Sequence, residues 1–144
     1  MDLNKAYYFG HSSQLVYNAW INPELSIPPI TQIYIDPKVG GKIDFYTSNP
    51  EDHKHLVGTF LQVESGFRIL YTWHWEGSKE HTQVSVLLNT FGAGCLVSLL
   101  HKGFNSRKSC EMHKNWWDNY VNELKLILKD QTVSTIAKEP LKFM

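Results

Sequence analysis

The chain has 144 residues, a length that fits one domain with a sizeable core. Apolar residues make up 42% of it and charged residues 19%, which is typical of a globular protein and excludes a disordered one. The 14 basic and 14 acidic side chains balance, and no apolar run reaches the roughly 18 residues of a membrane helix, so we expect neither a nucleic-acid partner nor a membrane span.

The N-terminal part of the chain predicts a strand followed by a short helix. Residues 1–5 (MDLNK) have none of the apolar character of a secretory signal, so we expect a cytoplasmic protein. Residues 5–10 predict the strand. Ser12 or Ser13 is suited to cap a helix that runs to about Trp20, because a serine oxygen accepts a hydrogen bond from the first helical turn.

The middle of the chain predicts a meander of short antiparallel strands. Turn signals such as Asp36-Pro37, Gly40-Gly41 and Ser65-Gly66 separate runs of alternating apolar and polar residues. With the first strand, these runs make a sheet of six or seven strands. The predicted strands cover residues 31–36, 42–47, 55–64, 68–76, 82–88 and 95–101.

The C-terminal part changes to the period of a helix. Residues 109–129 contain neither Pro nor Gly, and Ser109 is a suitable N-cap. One apolar stripe runs along this helix and comprises His113, Trp117, Tyr120, Val121, Leu124 and Leu128. We predict a single domain over residues 1–130 and a tail over 131–144 that is either loose or packed on a partner.

A sheet with one face to bury and one long helix to cover it predicts an enclosed space between them. Period-two alternation on the strands and helical spacing on the C-terminal helix define which side chains face that space. We expect a void of several hundred cubic ångströms for a ligand. The predicted lining consists of Tyr71, Trp73, Trp75, Val84, Val86, Val97, Leu99, His101, His113, Trp117, Tyr120 and Val121. The aromatic members suit either a plain core or a ligand pocket.

Four segments, in this order, resemble the motifs of a known family: GGKIDF at 40–45, RILYTW at 68–73, GCLVSLLHKGF at 94–104, and His113 with Trp117 in the helix. Together they resemble the activator of Hsp-90 ATPase homologue branch of the SRPBCC (START-like, helix-grip) superfamily, over residues 5–129. The resemblance implies an α+β helix-grip fold of the START/Bet v 1 type. Its sheet would curve around the C-terminal helix and leave a deep apolar cavity. Trp116 departs from the motif, which usually has Gly there.

The resemblance leaves three functions open. The first is binding of a hydrophobic small molecule or lipid in the cavity. The second is a chaperone-linked protein-interaction module, related to Hsp-90 ATPase activators, that would use Trp116 and the tail. The third is a cavity enzyme of the cyclase, aromatase or hydrolase type, which we favour least. We expect a monomer or a homodimer.

The candidate chemical groups are few. His101 and His113 end the inward faces of the last strand and the helix, where they could close the core, contact a ligand or act as acid and base. His53 and His55 offer two metal ligands with no third nearby in sequence. Cys95 and Cys110 form no paired motif. We therefore expect no metal and no cofactor.

Overall fold

The computed structural model describes residues 1–25, 27–28, 30–49 and 52–142, with the backbone alone at 48, 49, 52, 53 and 131–142. Within these ranges the chain forms seven strands and two helices. In chain order they are β1 (Asp2–Phe9), α1 (Ser13–Trp20), β2 (Ile30–Ile35), β3 (Lys42–Asn49), β4 (Asp52–Glu64), β5 (Arg68–Trp75), β6 (Thr82–Phe91), β7 (Gly94–Lys102) and α2 (Arg107–Lys142).

The strands form one antiparallel sheet in the order β1-β7-β6-β5-β4-β3-β2. Five of the neighbouring pairs are consecutive in sequence, as expected for strands joined by short connections. The remaining pair joins the first and last strands, β1 and β7, from Asp2 opposite Lys102 to Phe9 opposite Cys95. Strands β1 and β2 are therefore the two edges. The predicted α+β helix-grip architecture, with seven strands and a long C-terminal helix, is confirmed.

Strand pairing extends several strands beyond their predicted ends. β1 begins at Asp2, three residues before the predicted start, because β7 pairs with it along its whole length. β6 continues to Phe91, which lies opposite Gly94. The predicted cap of α1 is confirmed, with the Ser12 hydroxyl accepting a hydrogen bond of 3.1 Å from the Leu15 amide.

The long helix α2 begins earlier and ends later than the sequence pattern predicts. Its N-cap is Ser106, whose hydroxyl accepts from the Ser109 amide at 3.1 Å, so the prediction of Ser109 as the cap is wrong. The Ser109 hydroxyl instead donates to a Glu80 carboxylate oxygen at 2.6 Å. The described backbone stays helical through Lys142, whereas the side chains from 131 onward lie outside the described part, so the loose or partner-bound tail stays a prediction. Neither described helix combines the length and apolarity needed to cross a membrane.

The core lies between the inner face of the sheet and the helices. All six residues of the predicted helix stripe are buried, and Leu124 and Leu128 are fully inaccessible to solvent. The alternating residues Ile69, Tyr71 and Trp73 of β5 are buried as predicted, while Trp75 is half-buried. The two-residue alternation of β5 and the helical spacing of α2 therefore correctly identify the faces that meet in the core.

A polar contact at the surface fixes α2 against the edge strand β1. The Tyr7 hydroxyl donates to Asp118 Oδ1 at 2.8 Å, and Lys5 Nζ lies 3.1 Å from the same oxygen. Burial and the Asp118 carboxylate raise the pKa of Tyr7, so its hydroxyl stays protonated as the donor. This contact attaches α2 to the edge strand β1 at Asp118.

Candidate functional site

A cluster of aromatic side chains fills the space between the sheet and the helices. Trp73 lies at its centre, with ring centroids 5.8 Å from Phe45, 5.1 Å from Trp116 and 5.2 Å from Trp117. The indole of Trp20 stacks on that of Trp117 at 5.9 Å. The aromatic cluster comprises Trp20 of α1, Phe45 of β3, Tyr71 and Trp73 of β5, and Trp116, Trp117 and Tyr120 of α2.

The gap that the aromatic cluster leaves has a volume of only about 20 Å³, which is room for about one water molecule. Its remaining walls are the side chains of Ile30, Ile33, Ile35 and Ile43. The expectation of a void of several hundred cubic ångströms is wrong for this space. Large flat rings packed edge to face and in offset stacks occupy the volume that smaller apolar side chains would leave open.

Only part of the predicted lining reaches this gap. Four of the predicted residues line it, namely Tyr71, Trp73, Trp117 and Tyr120. The aliphatic members are buried but do not line the gap, namely Val84, Val86, Val97, Leu99 and Val121. The remaining three belong to a polar cluster beside it, namely Trp75, His101 and His113.

Sequence reasoning missed Trp20, Phe45, Trp116 and the four isoleucines as lining residues. The available signals were the alternation of Ile33 with Ile35, the shared face of Ile43 and Phe45, and the helical spacing of Trp20. These patterns describe one strand or helix at a time, so they do not contain which side chains of β2, β3 and α1 meet those of α2.

Trp116 closes one side of the gap. Its ring lies nearly parallel to those of Phe45 and Tyr120, at centroid distances of 5.8 and 5.3 Å. It meets Trp73 and Trp117 edge to face. The side chain is half-buried, and its Nε1 is shielded from water without a hydrogen-bond partner among the described residues. A buried donor without an acceptor is unusual, because burial removes the water that would otherwise bind it.

His113 accepts hydrogen bonds from two indoles. Trp73 Nε1 and Trp75 Nε1 both donate to His113 Nε2, at 3.2 and 3.0 Å. The other ring nitrogen, Nδ1, lies 2.8 Å from the Ser109 carbonyl oxygen. Since Nε2 accepts, Nδ1 carries the proton and donates to that carbonyl. His113 therefore joins β5 to the first turn of α2.

His101 forms a second, fully buried junction. Trp117 Nε1 donates to His101 Nδ1 at 3.0 Å, and His101 Nε2 lies 2.7 Å from the Thr82 hydroxyl. The Thr82 hydroxyl donates its own proton to the Trp73 carbonyl oxygen at 3.1 Å. His101 Nε2 must therefore carry the proton that Thr82 accepts.

The surroundings keep both histidines neutral. Burial, and to a lesser extent the neighbouring His113, lower the pKa of His101 to about 3. Burial also lowers the pKa of His113, against the opposing effects of the Ser109 carbonyl and Glu80. All four ring nitrogens have partners within the protein, so neither ring presents a nitrogen to the gap. This arrangement supports their interpretation as polar groups that close the core.

A different histidine, His55, lies between two carboxylates that favour its charged form. Each ring nitrogen of His55 faces a carboxylate: Nε2 bonds to Asp44, and Nδ1 lies 2.8 Å from Glu76. Burial opposes protonation of His55, but these two hydrogen bonds outweigh it and raise its pKa. The side chain of His53 lies outside the described part, and no group of three or more metal-ligating side chains occurs among the described residues.

Substitution His55→Gln is expected to destabilise the protein more at pH 6 than at pH 8. A histidine with a raised pKa stabilises the folded state below its unfolded pKa, and this contribution is lost as the pH rises through the folded pKa. The difference should be that of an exposed ion pair, roughly 0.2–1 kcal/mol. Urea unfolding at both pH values measures it, with His74→Gln on the neighbouring strand as the control. An equal loss at both pH values would contradict the charged assignment.

A protein-family model matches residues 11–129, and its description is activator of Hsp90 ATPase homolog 1-like protein. The matched region covers α1, the whole sheet apart from β1, and the part of α2 that packs on the core. No curated protein matches the chain significantly.

Solved structures with the same fold have low sequence identity to this chain. Protein MLL2253 from Mesorhizobium loti aligns over 90% of this chain and 98% of its own, with 19% identity and a TM-score of 0.77. Protein NE0264 from Nitrosomonas europaea aligns over 92% and 97%, with 19% identity and a TM-score of 0.76. DynU16, from the dynemicin biosynthetic locus, aligns over 89% of this chain and 47% of its own, with 15% identity and a TM-score of 0.76. At these identities the likeness establishes the fold alone.

Proposed function

The chain belongs to the activator of Hsp90 ATPase homolog 1-like protein family, and we propose that it binds a small, largely apolar molecule at the gap between the sheet and α2. The observation that carries this proposal is the wall of that gap. It combines isoleucine side chains with aromatic rings, two of which, Tyr71 and Tyr120, carry a hydroxyl group. Binding sites for small molecules typically combine an apolar lining with a few polar groups that orient the ligand.

The present volume of about 20 Å³ means that the ligand enters only if a side chain moves. The gap lies beside β2, the edge strand of the sheet, whose outer side has no neighbouring strand. Ile33 of β2 lines the gap and is only half-buried. Movement on this side would disturb fewer contacts than movement beside the central strands.

The other two functions receive less support. A protein-interaction surface built on Trp116 would need an exposed ring, but this indole packs against four other aromatic rings. An acid–base role for His101 and His113 would need a ring nitrogen directed at a ligand, whereas all four nitrogens are engaged. A monomer or homodimer in the cytoplasm remains our expectation.

We expect a flat aromatic compound to raise the melting temperature of the protein, and a cyclic aliphatic alcohol of similar size to do so less. At one hundred times its dissociation constant a ligand adds about 2.7 kcal/mol, or roughly 5–10 °C in a chain of this size. Native mass spectrometry of protein purified from its own cells should show a retained compound.

Two neighbouring residues on β2 provide a matched pair of variants. Ile33→Asn places an amide in the gap wall and should abolish the shift, whereas Tyr34 is 59% exposed on the opposite face, so Tyr34→Asn should leave it intact. No retained mass and no shift with any member of an aromatic and lipid panel would contradict the proposal, as would an equal response of the two variants.

A further inference from the structure

We propose that Trp116 is a displaceable plug, and that the ligand which replaces its indole is a flat two-ring aromatic molecule. This inference rests on the proposed function and specifies the ligand class and the control of access at the same site. It is carried by the arrangement of four rings around one indole and by the state of that indole's N–H group.

The four surrounding rings form a slot for a flat ring. Phe45 and Tyr120 lie within 18° and 14° of the plane of the Trp116 indole, as stacking walls do. Trp73 and Trp117 stand at 81° to it and present edge-to-face contacts. Offset stacking and edge-to-face contact are the two preferred geometries of aromatic pairs. A planar bicyclic molecule in the place of the indole would therefore keep all four contacts, whereas a puckered aliphatic ring would not.

The indole N–H of Trp116 has no hydrogen-bond acceptor among the described residues. Among the described side chains Trp116 Nε1 is one of two buried polar atoms without a partner, whereas the indoles of Trp73, Trp75 and Trp117 all donate to a histidine. An unpaired buried donor costs free energy that is recovered when the group reaches water or an acceptor. Trp116 is thus the tryptophan of α2 that loses no hydrogen bond on leaving the core.

The position of Trp116 also allows its side chain to leave the aromatic cluster while the neighbouring side chains stay in place. Its neighbour Trp117 is 1% exposed and bonded to His101, whereas Trp116 is half-buried at the margin of the cluster. Rotation of one side chain towards solvent would vacate the slot and join it to the adjoining gap of about 20 Å³. A ligand that binds only this open state has an affinity reduced by the fraction of molecules that are open.

Removing the plug should therefore strengthen binding of a flat probe. We expect Trp116→Gly to bind 2-naphthol at least tenfold more tightly than the unmodified protein in isothermal titration, because the slot is then open in every molecule. Cyclohexanol should show no such gain. Met112→Gly places the same glycine on α2 at a side chain that is 50% exposed, so it controls for the effect of glycine on the helix. Trp116→Ala serves in the same way if the glycine variant does not fold.

The unmodified protein offers an independent readout. When the five tryptophans are labelled with 5-fluorotryptophan, the ¹⁹F signal missing from Trp116→Phe identifies Trp116. This signal should move towards its solvent-exposed value when 2-naphthol is added. The proposal is overturned if folded Trp116→Gly or Trp116→Ala binds 2-naphthol no better than the unmodified protein, or if 2-naphthol binds while the Trp116 signal stays unchanged. The glycine variant could bind 2-naphthol tightly while protein purified from its own cells retains no compound. That combination would support the slot beneath Trp116 and would count only against the proposed function.

Discussion

Acidification from pH 6.5 to pH 4.5 is expected to lower the free energy of unfolding by about 2.3 kcal/mol through His101 alone. The folded protein holds the pKa of His101 at about 3, whereas in the unfolded chain it returns to about 6.5. At pH 6.5 the unfolded histidine is already half protonated, and as the pH falls further it takes up the rest of a proton that the folded state does not bind. The loss per pH unit therefore starts at about half of 1.36 kcal/mol and approaches the full value below about pH 5.5. The loss continues until the pH approaches the folded pKa.

Other titratable groups also change how the free energy of unfolding depends on pH. His113 also has a lowered pKa, so it adds to the loss on acidification. His55 has a raised pKa and opposes it. The lowered pKa of Asp118 changes the free energy of unfolding only as the pH falls towards and below its ordinary pKa of 3.8. A titration that ends at pH 4.5 therefore contains little of the Asp118 contribution.

Urea unfolding at half-unit steps of pH measures this prediction. In His101→Gln the amide can still accept from Trp117 and donate to Thr82, but it does not titrate. The variant should therefore be less stable at pH 6.5 and show a flatter profile below it. If its pH profile has the same slope as that of the unmodified protein, His101 is not the buried neutral group described here.

Replacement of Trp117 by alanine is expected to lower the free energy of unfolding by about 4–8 kcal/mol. Truncating a buried tryptophan costs about 3–5 kcal/mol. In addition, Nδ1 of His101 loses its donor, and an unsatisfied buried acceptor costs about 1–3 kcal/mol. A typical domain has only 5–15 kcal/mol of stability, so this variant should be at the limit of folding.

Two variants separate the contributions of packing and hydrogen bonding at Trp117. Trp117→Phe keeps most of the ring but not the N–H, so it should lose distinctly less than the alanine variant. Trp116→Ala, one position earlier, removes a half-buried indole that has no hydrogen-bond partner among the described residues, and it should also cost less. Urea unfolding at pH 7 compares all three. A loss below 2 kcal/mol for Trp117→Ala, or a larger loss for Trp116→Ala, would contradict the packing described here.

The order of elements and their buried faces followed from local patterns. The alternation of Ile69, Tyr71 and Trp73 predicted the inner face of β5, and steps of three and four predicted the buried stripe of α2. Both patterns arise from the geometry of a single strand or helix, so they need no knowledge of the partner. Element ends were less predictable, because pairing with β7 extends β1 and because Ser106, not Ser109, caps α2.

The amino-acid sequence by itself determined the fold class and the faces of β5 and α2 that enter the core. Only the tertiary structure decided how closely the sheet approaches α2 and that aromatic rings, among them those of Trp73 and Trp116, fill the space between them. It also decided that the ring nitrogens of both core histidines form hydrogen bonds with indoles, a hydroxyl and a carbonyl. The physical reason is that these contacts, apart from that of His113 with the Ser109 carbonyl, join residues 16 to 43 positions apart in sequence. Their distances depend on sheet curvature and helix angle, and no periodicity within one element records either quantity.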